Sequence, residues 1–368
     1  MRVAKLKPKS IDWQFLAIVA ALLIFGLFVL SSASYIAGQK KFGDPYYYLR
    51  EQFFKGILIG AAAFFIFSKI SLAFLKKYSF LFLIISIGLQ SLVFVPQLGL
   101  SHGGSTRWLD ARFFTFQPGE ILKLSFLVYL ASWFATRQKT IGSFYEGFLP
   151  FAVITGIIGL LLLMQPNFGT FAVIAFSAAV VFFAAGGRMV HLLMMCLLGL
   201  ALFFVFIFIK PYAAQRFNVY LNPQSDVSGQ SYQINQALSA IGSGGVKGIG
   251  IGRNLNSAYL PESIGDSVFA VLAEKLGLFG VSIALGLYLL FAIFGYKIAL
   301  KSGDPFSKFL AAGVTSWIMI QSFMNIAAIS GLAPLTGVPL PFISYGSSGL
   351  VIVLSGAGII ANVSRYQN

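Results

Sequence analysis

The chain has 368 residues, of which 58% are hydrophobic and 10% charged, and it carries 39 Phe and a net charge of +15. That composition excludes an ordinary water-soluble domain, which could not hide so much apolar surface, and makes a bilayer the natural solvent. Two distant histidines, His102 and His191, and one cysteine, Cys196, read as buried in an apolar run, exclude intrachain disulfides and a zinc cluster.

A basic start (Arg2, Lys5, Lys7, Lys9) precedes the first apolar run, 13–34. At about 22 residues it suits a retained signal anchor rather than a cleaved leader. Further runs follow at about 56–72, 78–99, 119–135, 147–164, 168–187, 189–210, 267–299, 307–331 and 347–364. Each approaches the ~20 residues a helix needs to cross a hydrocarbon core. The expected fold is an all-α polytopic membrane protein of about ten transmembrane helices, with residues 1–368 forming one integral membrane domain. A long outer loop, 211–266, separates the seventh helix from the eighth.

With the N-terminus inside, the inner loops hold 14 Lys and Arg against 3 acidic residues. That is the positive-inside pattern, so both termini are predicted to be cytoplasmic. The positive charge thus reports topology and anionic lipid, and no nucleic-acid partner is expected. Four polar segments fall on the opposite, outer side: 100–118, the corner QPNFGT (165–170), 211–266, and PLTGVPLPFISYGSSG (334–349). A site should face outward.

Within 104–112, GSTRWLDAR supplies Arg107 and Arg112, whose guanidinium groups suit phosphate, although snorkelling to headgroups explains them as well. QPGEILKL (117–124) sets Glu120 and Lys123 three apart on one helix face, either a structural pair or the lining of a polar cavity. SYQINQALSAI (231–241), apolar at Ile234, Leu238 and Ile241, predicts a short interfacial helix or a lid. The run AIGSGGVKGIGIG (240–252) matches neither nucleotide-binding fingerprint, so no nucleotide is expected. Its amides could form an anion nest beside Lys247 and Arg253, or it could be a flexible loop.

LPESIGDSVFAVLAEKLGLFG (260–280) gathers three of the eleven acidic residues. Ser263 and Asp266 fit a capping box for the helix that follows. Glu262 and Asp266, four apart, could instead project together to hold a divalent cation or to provide a general base. Glu274 and Lys275 are adjacent, are not expected to face each other, and read as packing or pathway residues.

WLDARFFTFQPGEILKL, QPNFGT, SYQINQALSAIGSGG, YLPESIGDSVFAVLAEKLG and NIAAISGLAPLTGVPLPFISYGSSGL resemble, in order and spacing, the SEDS (shape, elongation, division, sporulation) proteins of bacterial cell-wall synthesis. The first outer loop, through DPYYYLREQ, resembles the division type (FtsW-like) more than the elongation type (RodA-like). The resemblance implies a ten-helix, inverting glycosyltransferase that polymerises lipid II on the outer face of the bacterial cytoplasmic membrane during cell division. It assigns the essential acid to Asp266 and a functional acid–base pair to Glu120 and Lys123. This sequence departs from the family pattern at Ile264 and Gly265, where His-Thr is usual, at Asn167, where Asp is usual, and at Ser347, where Gly is usual.

On that reading Asp266 is the general base for the acceptor 4-hydroxyl. Arg107, Lys123, Arg216, Lys247 and a divalent cation (Mg2+ or Mn2+), held by Asp266 or Glu262, would answer the charge of the leaving pyrophosphate. Ser344 and Tyr345 join Glu262 and Glu120 as substrate-binding candidates. The implied partners are lipid II, the polyprenyl-pyrophosphate-linked glycan product and a class B penicillin-binding transpeptidase. Rival readings are a lipid II flippase without chemistry, which inverted repeats would support but which none support here, and a non-catalytic scaffold.

Overall fold

The computed structural model describes residues 9–102, 105–110, 115–209, 214, 218–222, 230–253 and 255–367. Arg112 and Arg216 lie outside the described residues. Each predicted span overlaps a helix, although the third, 78–99, is helical only as far as Phe94 and residue 210 of the seventh lies outside the described residues. α1 (Trp13–Phe42) begins where the Asp12 carboxylate accepts from the amides of Gln14 and Phe15 at 3.0 and 3.2 Å, and it stops at Gly43, which has φ 69°. α2 (Tyr47–Lys69) widens into a π turn over Gln52–Leu58. After α3 (Leu72–Lys77) and α4 (Ser79–Ser91) comes α5 (Pro118–Thr136), with Pro118 in the first turn, where its missing N–H costs nothing.

The chain continues through α6 (Phe144–Leu163), α7 (Phe168–Ala184), α8 (Met189–Ile209) and α9 (Gln230–Gly244). It ends with α10 (Val268–Lys301), α11 (Pro305–Ile329) and α12 (Ser347–Ser364). Among the described residues six helices, α1, α2, α6, α10, α11 and α12, are long and apolar enough to cross a membrane by length and composition. Three apolar stretches are shorter: Ser79–Phe94, Phe168–Ala184 and Met189–Ala201. The architecture is that of a polytopic, mostly helical membrane protein. Cys196 is exposed on α8, not buried, because that helix packs only lightly and turns its apolar side chains outward.

α11 and α12 form the centre, with 72% of their most apolar windows buried against 28% for α10. α11 packs on α5, α7, α10 and α12, and α12 packs on α2. Small residues let these backbones approach: a Cβ at Gly358 of α12 would come within 2.6 Å of the Phe64 carbonyl of α2.

Three features depart from the sequence reading. The insert at 100–118 folds into a small antiparallel sheet, β1 (Gly99–His102), β2 (Ser105–Asp110) and β3 (Thr115–Phe116), in that order, with Leu100 opposite Trp108. α9 buries Ile234, Ala237 and Ala240 and leaves Leu238 exposed, because its small residues draw it onto α10: a Cβ at Gly244 would lie 2.0 Å from the Ala273 carbonyl. α10 is broken at Gly277 (φ 63°, ψ −161°), a conformation that L side chains rarely adopt.

The break gives the glycine-rich run its place. Leu278 and Phe279 donate their amides to the Gly245 and Val246 carbonyls at 2.9 and 3.2 Å. Ile249 and Gly250 donate theirs to the Glu274 and Lys275 carbonyls at 3.0 and 3.1 Å. Backbone groups freed by the break are thus satisfied by loop backbone, as a low-dielectric site demands. The Ile249 and Gly250 amides, which an anion nest would leave open, are thus used inside the protein.

The termini meet at one end of the bundle. The Asp12 amide donates to Ser364 Oγ at 3.0 Å, and Arg365 Nη1 donates to the Ser68 carbonyl at 3.2 Å. The polar inserts meet at the other end: Arg107 Nη2 donates to the Pro166 carbonyl, and Gly169 sits so close to Thr336 that a Cβ would fall 2.6 Å from its carbonyl.

Candidate functional site

Asp266 lies in a tight turn before α10, half-buried, and the turn is held mainly by its backbone. Gly265 and Ser267 donate to the Glu262 carbonyl at 2.9 and 3.1 Å. The helix starts only at Val268, after Ser267, and no side chain caps it. The predicted capping box is therefore not formed: the turn between Ser263 and Ser267 carries both Ser263 and Asp266 ahead of the first helical residue. The carboxylate of Asp266 instead accepts from Gln233 Nε2 of α9 at 3.4 Å, and the same nitrogen reaches Ser267 Oγ at 3.0 Å.

From the opposite side the segment 338–344, irregular and mostly buried, braces this turn. Ser344 Oγ donates to the Gly265 carbonyl at 2.6 Å, the Tyr345 amide donates to the Ile264 carbonyl at 2.8 Å, and Asn325 Nδ2 donates to the Asp266 carbonyl at 2.7 Å. Irregular backbone at such depth needs every polar group matched. Asn325 also serves the Val338 carbonyl, Gln321 Nε2 the Pro339 carbonyl, and the Tyr288 hydroxyl the Pro341 carbonyl. Gln52, in the π turn of α2, accepts from the Gly346 amide at 3.1 Å and donates to the Ser344 carbonyl at 3.4 Å.

Glu262 and Phe342 both adopt positive φ, 50° and 68°, on either side of this contact. Strained backbone of this kind persists where its surroundings over-determine it, and it clusters at functional sites.

Glu120 and Lys123 meet as predicted, at 2.8 Å, with both side chains buried. Lys123 Nζ also donates to Gln321 Oε1 at 2.5 Å and lies 5.2 Å from the centre of the Trp317 ring. Glu120 Oε2 has no hydrogen-bond partner among the described residues and faces Gly349 in the first turn of α12, where a Cβ would lie 3.9 Å away. The pair thus connects through Gln321 to Pro339, in the segment that braces Asp266. Sequence reasoning missed Gln52, Gln233, Gln321 and Asn325. Trp317, Gln321 and Asn325 were detectable, spaced by four inside an apolar run, since buried amides in a membrane helix are rarely idle.

The remaining candidates are more scattered. Ser344 and Tyr345 are the braces just described. The Tyr345 ring packs edge-on against Tyr48 at 4.9 Å, and burial, followed by the negative field of Glu51, pushes its hydroxyl up to about 12, so it stays protonated. Glu262 is exposed, its carboxylate lying over Gly265, where a Cβ would meet Oε2 at 3.0 Å. Lys247 is exposed on the loop at the break in α10. Arg107 sits on β2 and holds the QPNFGT corner by its backbone.

Glu274 and Lys275 do pair, at 3.1 Å, against expectation. Adjacent residues diverge on a regular helix, but these long side chains both curl toward the loop that crosses the break at Gly277. Glu274 Oε1 accepts from the Asn256 and Ser257 amides at 2.7 and 3.2 Å, and Lys275 Nζ donates to the Arg253 carbonyl.

Among the described residues no group of three His, Cys, Asp or Glu side chains could hold a metal ion. An all-protein cage does not fit. The carboxylates at the turn are those of Asp266, half-buried, and Glu262, exposed; Mg2+ is commonly bound by one or two carboxylates together with substrate phosphates.

The chain matches the family model described as cell cycle protein, for FtsW, RodA and SpoVE, over residues 12–368. It is 37% identical to stage V sporulation protein E of Bacillus subtilis, over 98% of this chain and 99% of that one. It is 35% identical to the probable peptidoglycan glycosyltransferase FtsW of Geobacter sulfurreducens, over 96% and 95% of the two chains. Among solved structures it superposes on a chain from work on the coordination of polymerization and crosslinking by a peptidoglycan synthase complex, with TM-score 0.80, 29% identity and 97% and 99% coverage. A mutant of the rod shape determining protein RodA of Thermus thermophilus gives TM-score 0.69 and 25% identity, with the same coverage. The five motifs, the helical order and the braced acidic turn have one common source: this chain belongs to the SEDS family, the FtsW, RodA and SpoVE group of cell cycle proteins.

Proposed function

We propose that this protein is a peptidoglycan glycosyltransferase that polymerises lipid II during cell division, as a multi-pass protein of the bacterial cytoplasmic membrane with both termini inside. The observation that carries the reading is Asp266: a half-buried carboxylate in a turn fixed by three separate segments, in a chain 35% identical to a probable peptidoglycan glycosyltransferase. The acceptor 4-hydroxyl oxygen attacks C1 of the donor, its proton passes to the Asp266 carboxylate, and the bond from C1 to the polyprenyl pyrophosphate breaks. One base and direct displacement invert the anomeric centre. General-base assistance of this kind is worth roughly 10²–10⁴-fold.

Mg2+ or Mn2+, held by Asp266 or Glu262 together with pyrophosphate oxygens, would neutralise charge on the leaving group. Lys247 is placed to add positive charge at the surface. Lys123, buried and engaged by Glu120, Gln321 and Trp317, acts through position and not by touching phosphate. A class B penicillin-binding transpeptidase is the expected partner, supported by the likeness to a chain of a peptidoglycan synthase complex. The test is purified protein, with and without such a transpeptidase, given lipid II and Mg2+: glycan polymer should form and should fail with Asp266→Asn. Movement of lipid II across vesicle bilayers without polymer would favour the flippase. Neither polymer nor movement of lipid II from wild type, with the transpeptidase present, would favour the scaffold.

A further inference from the structure

The buried pair at 274 and 275 takes no part in the chemistry just described, yet it has more backbone partners than any other charged group in α10. Glu274 Oε1 collects two loop amides, those of Asn256 and Ser257, and Lys275 Nζ takes the Arg253 carbonyl, so one ion pair grips the loop at 253 and at 256–257. Immediately N-terminal to that segment, four backbone hydrogen bonds join residues 245–250 to both sides of the break at Gly277. The approach is too close for side chains: a Cβ at Gly248 would lie 2.1 Å from the Lys275 carbonyl, and one at Gly277 would lie 2.4 Å from the Gly248 amide nitrogen.

The gripped segment is tied in turn to α9 and to the acidic turn. Asn256 Nδ2 donates to the Ser239 carbonyl at 3.2 Å, and the Tyr232 hydroxyl donates to the Tyr259 carbonyl at 3.3 Å. The next residue of α9, Gln233, holds the Asp266 carboxylate. A carboxylate gripping the loop therefore sits on the same helix that Asp266 precedes, and the two are connected a second time through α9.

From this geometry we infer that Glu274, neutralised by Lys275, is a positioning residue for Asp266. It fastens the outer loop and α9 onto the broken helix, so that Gln233 stays on the carboxylate and the carboxylate keeps its aim. The inference rests on the glycosyltransferase reading for its activity readout and on the loop geometry alone for its structural readout. Misplacement of a reacting group by about 1 Å can cost about 10²-fold in rate.

The experiment compares Glu274→Ala, Glu274→Gln/Lys275→Met and wild type, each in nanodiscs, by lipid II polymerisation and by hydrogen exchange. Glu274→Ala should lower kcat at least about tenfold while KM for lipid II stays within about threefold. Exchange should rise in 249–260, with the cores of α5, α11 and α12 unchanged. The double variant keeps an oxygen for the two amides and leaves no unpaired charge, so it should recover most of both losses. Normal kcat and normal loop exchange in Glu274→Ala would overturn the inference. So would a rise in exchange throughout the bundle that the double variant fails to rescue. If wild type itself makes no polymer with a transpeptidase present, the proposed activity falls, while the exchange comparison still decides whether Glu274 holds the loop.

Discussion

Glu120 and Lys123 stand one turn apart on α5 and meet at 2.8 Å, while Glu274 and Lys275 are neighbours in α10 and meet at 3.1 Å. Both pairs are buried, and their other partners differ. Lys123 is completed by side chains of a second helix, Gln321 and Trp317, so the first pair joins helix to helix. The second is completed by three backbone groups of one loop, so it joins helix to loop. A buried charge is costly unless matched, and what matches it decides what fails when it is lost. The α5 pair should govern the stability of the whole bundle, and the α10 pair the order of one outer segment.

Lys123→Met should be the most damaging change. It leaves the Glu120 carboxylate buried without its cation, at a cost of about 3–5 kcal/mol. Thermal unfolding in detergent should show a large fall in Tm, and Glu120→Gln/Lys123→Met should restore more than half of it. Lys275→Met should cost less, about 1–3 kcal/mol, because Glu274 keeps the Asn256 and Ser257 amides. Equal losses from the two lysine variants would erase the contrast.

Gly277→Ala adds a Cβ 2.4 Å from the Gly248 nitrogen at φ 63°, which should cost about 1–3 kcal/mol, concentrated in the loop and read as faster exchange over 245–250. The smallest effect on stability belongs to Gln233→Ala, which removes a long hydrogen bond to Asp266 and one to Ser267 Oγ. It should slow polymerisation about tenfold, as Glu274→Ala does, the equivalent of about 1.4 kcal/mol, with little change in Tm.

The first pair was legible in the sequence and the second was not. A spacing of three in QPGEILKL fixes a shared helix face, so Glu120 and Lys123 could be placed together from periodicity. For AEKLG, the same rule separated Glu274 from Lys275, because it assumes a helix that continues. Gly277 inside an apolar run carries no local sign of a break. Only the backbone of residues 245–250 arriving from elsewhere makes the break affordable.

The same long-range dependence hid the bracing of the turn at 264–265 by Ser344 and Tyr345, which the motif offers as substrate-binding candidates. The order of helices and the gathering of polar inserts at one end followed from hydropathy and loop charge, which are local and additive. Asp266 was singled out by resemblance. Its neighbours Gln233 and Asn325 come from helices far away in the chain, and pattern alone could not bring them to it.

The most direct measurement is the rate of lipid II polymerisation by the wild-type protein and by Asp266→Asn, both reconstituted with a class B penicillin-binding transpeptidase and Mg2+, with Tm recorded on the same samples. The expected result is polymer from wild type and a loss of at least about 10²-fold from Asp266→Asn at an unchanged Tm. Polymer from Asp266→Asn at the wild-type rate would contradict the assignment of that carboxylate as the base.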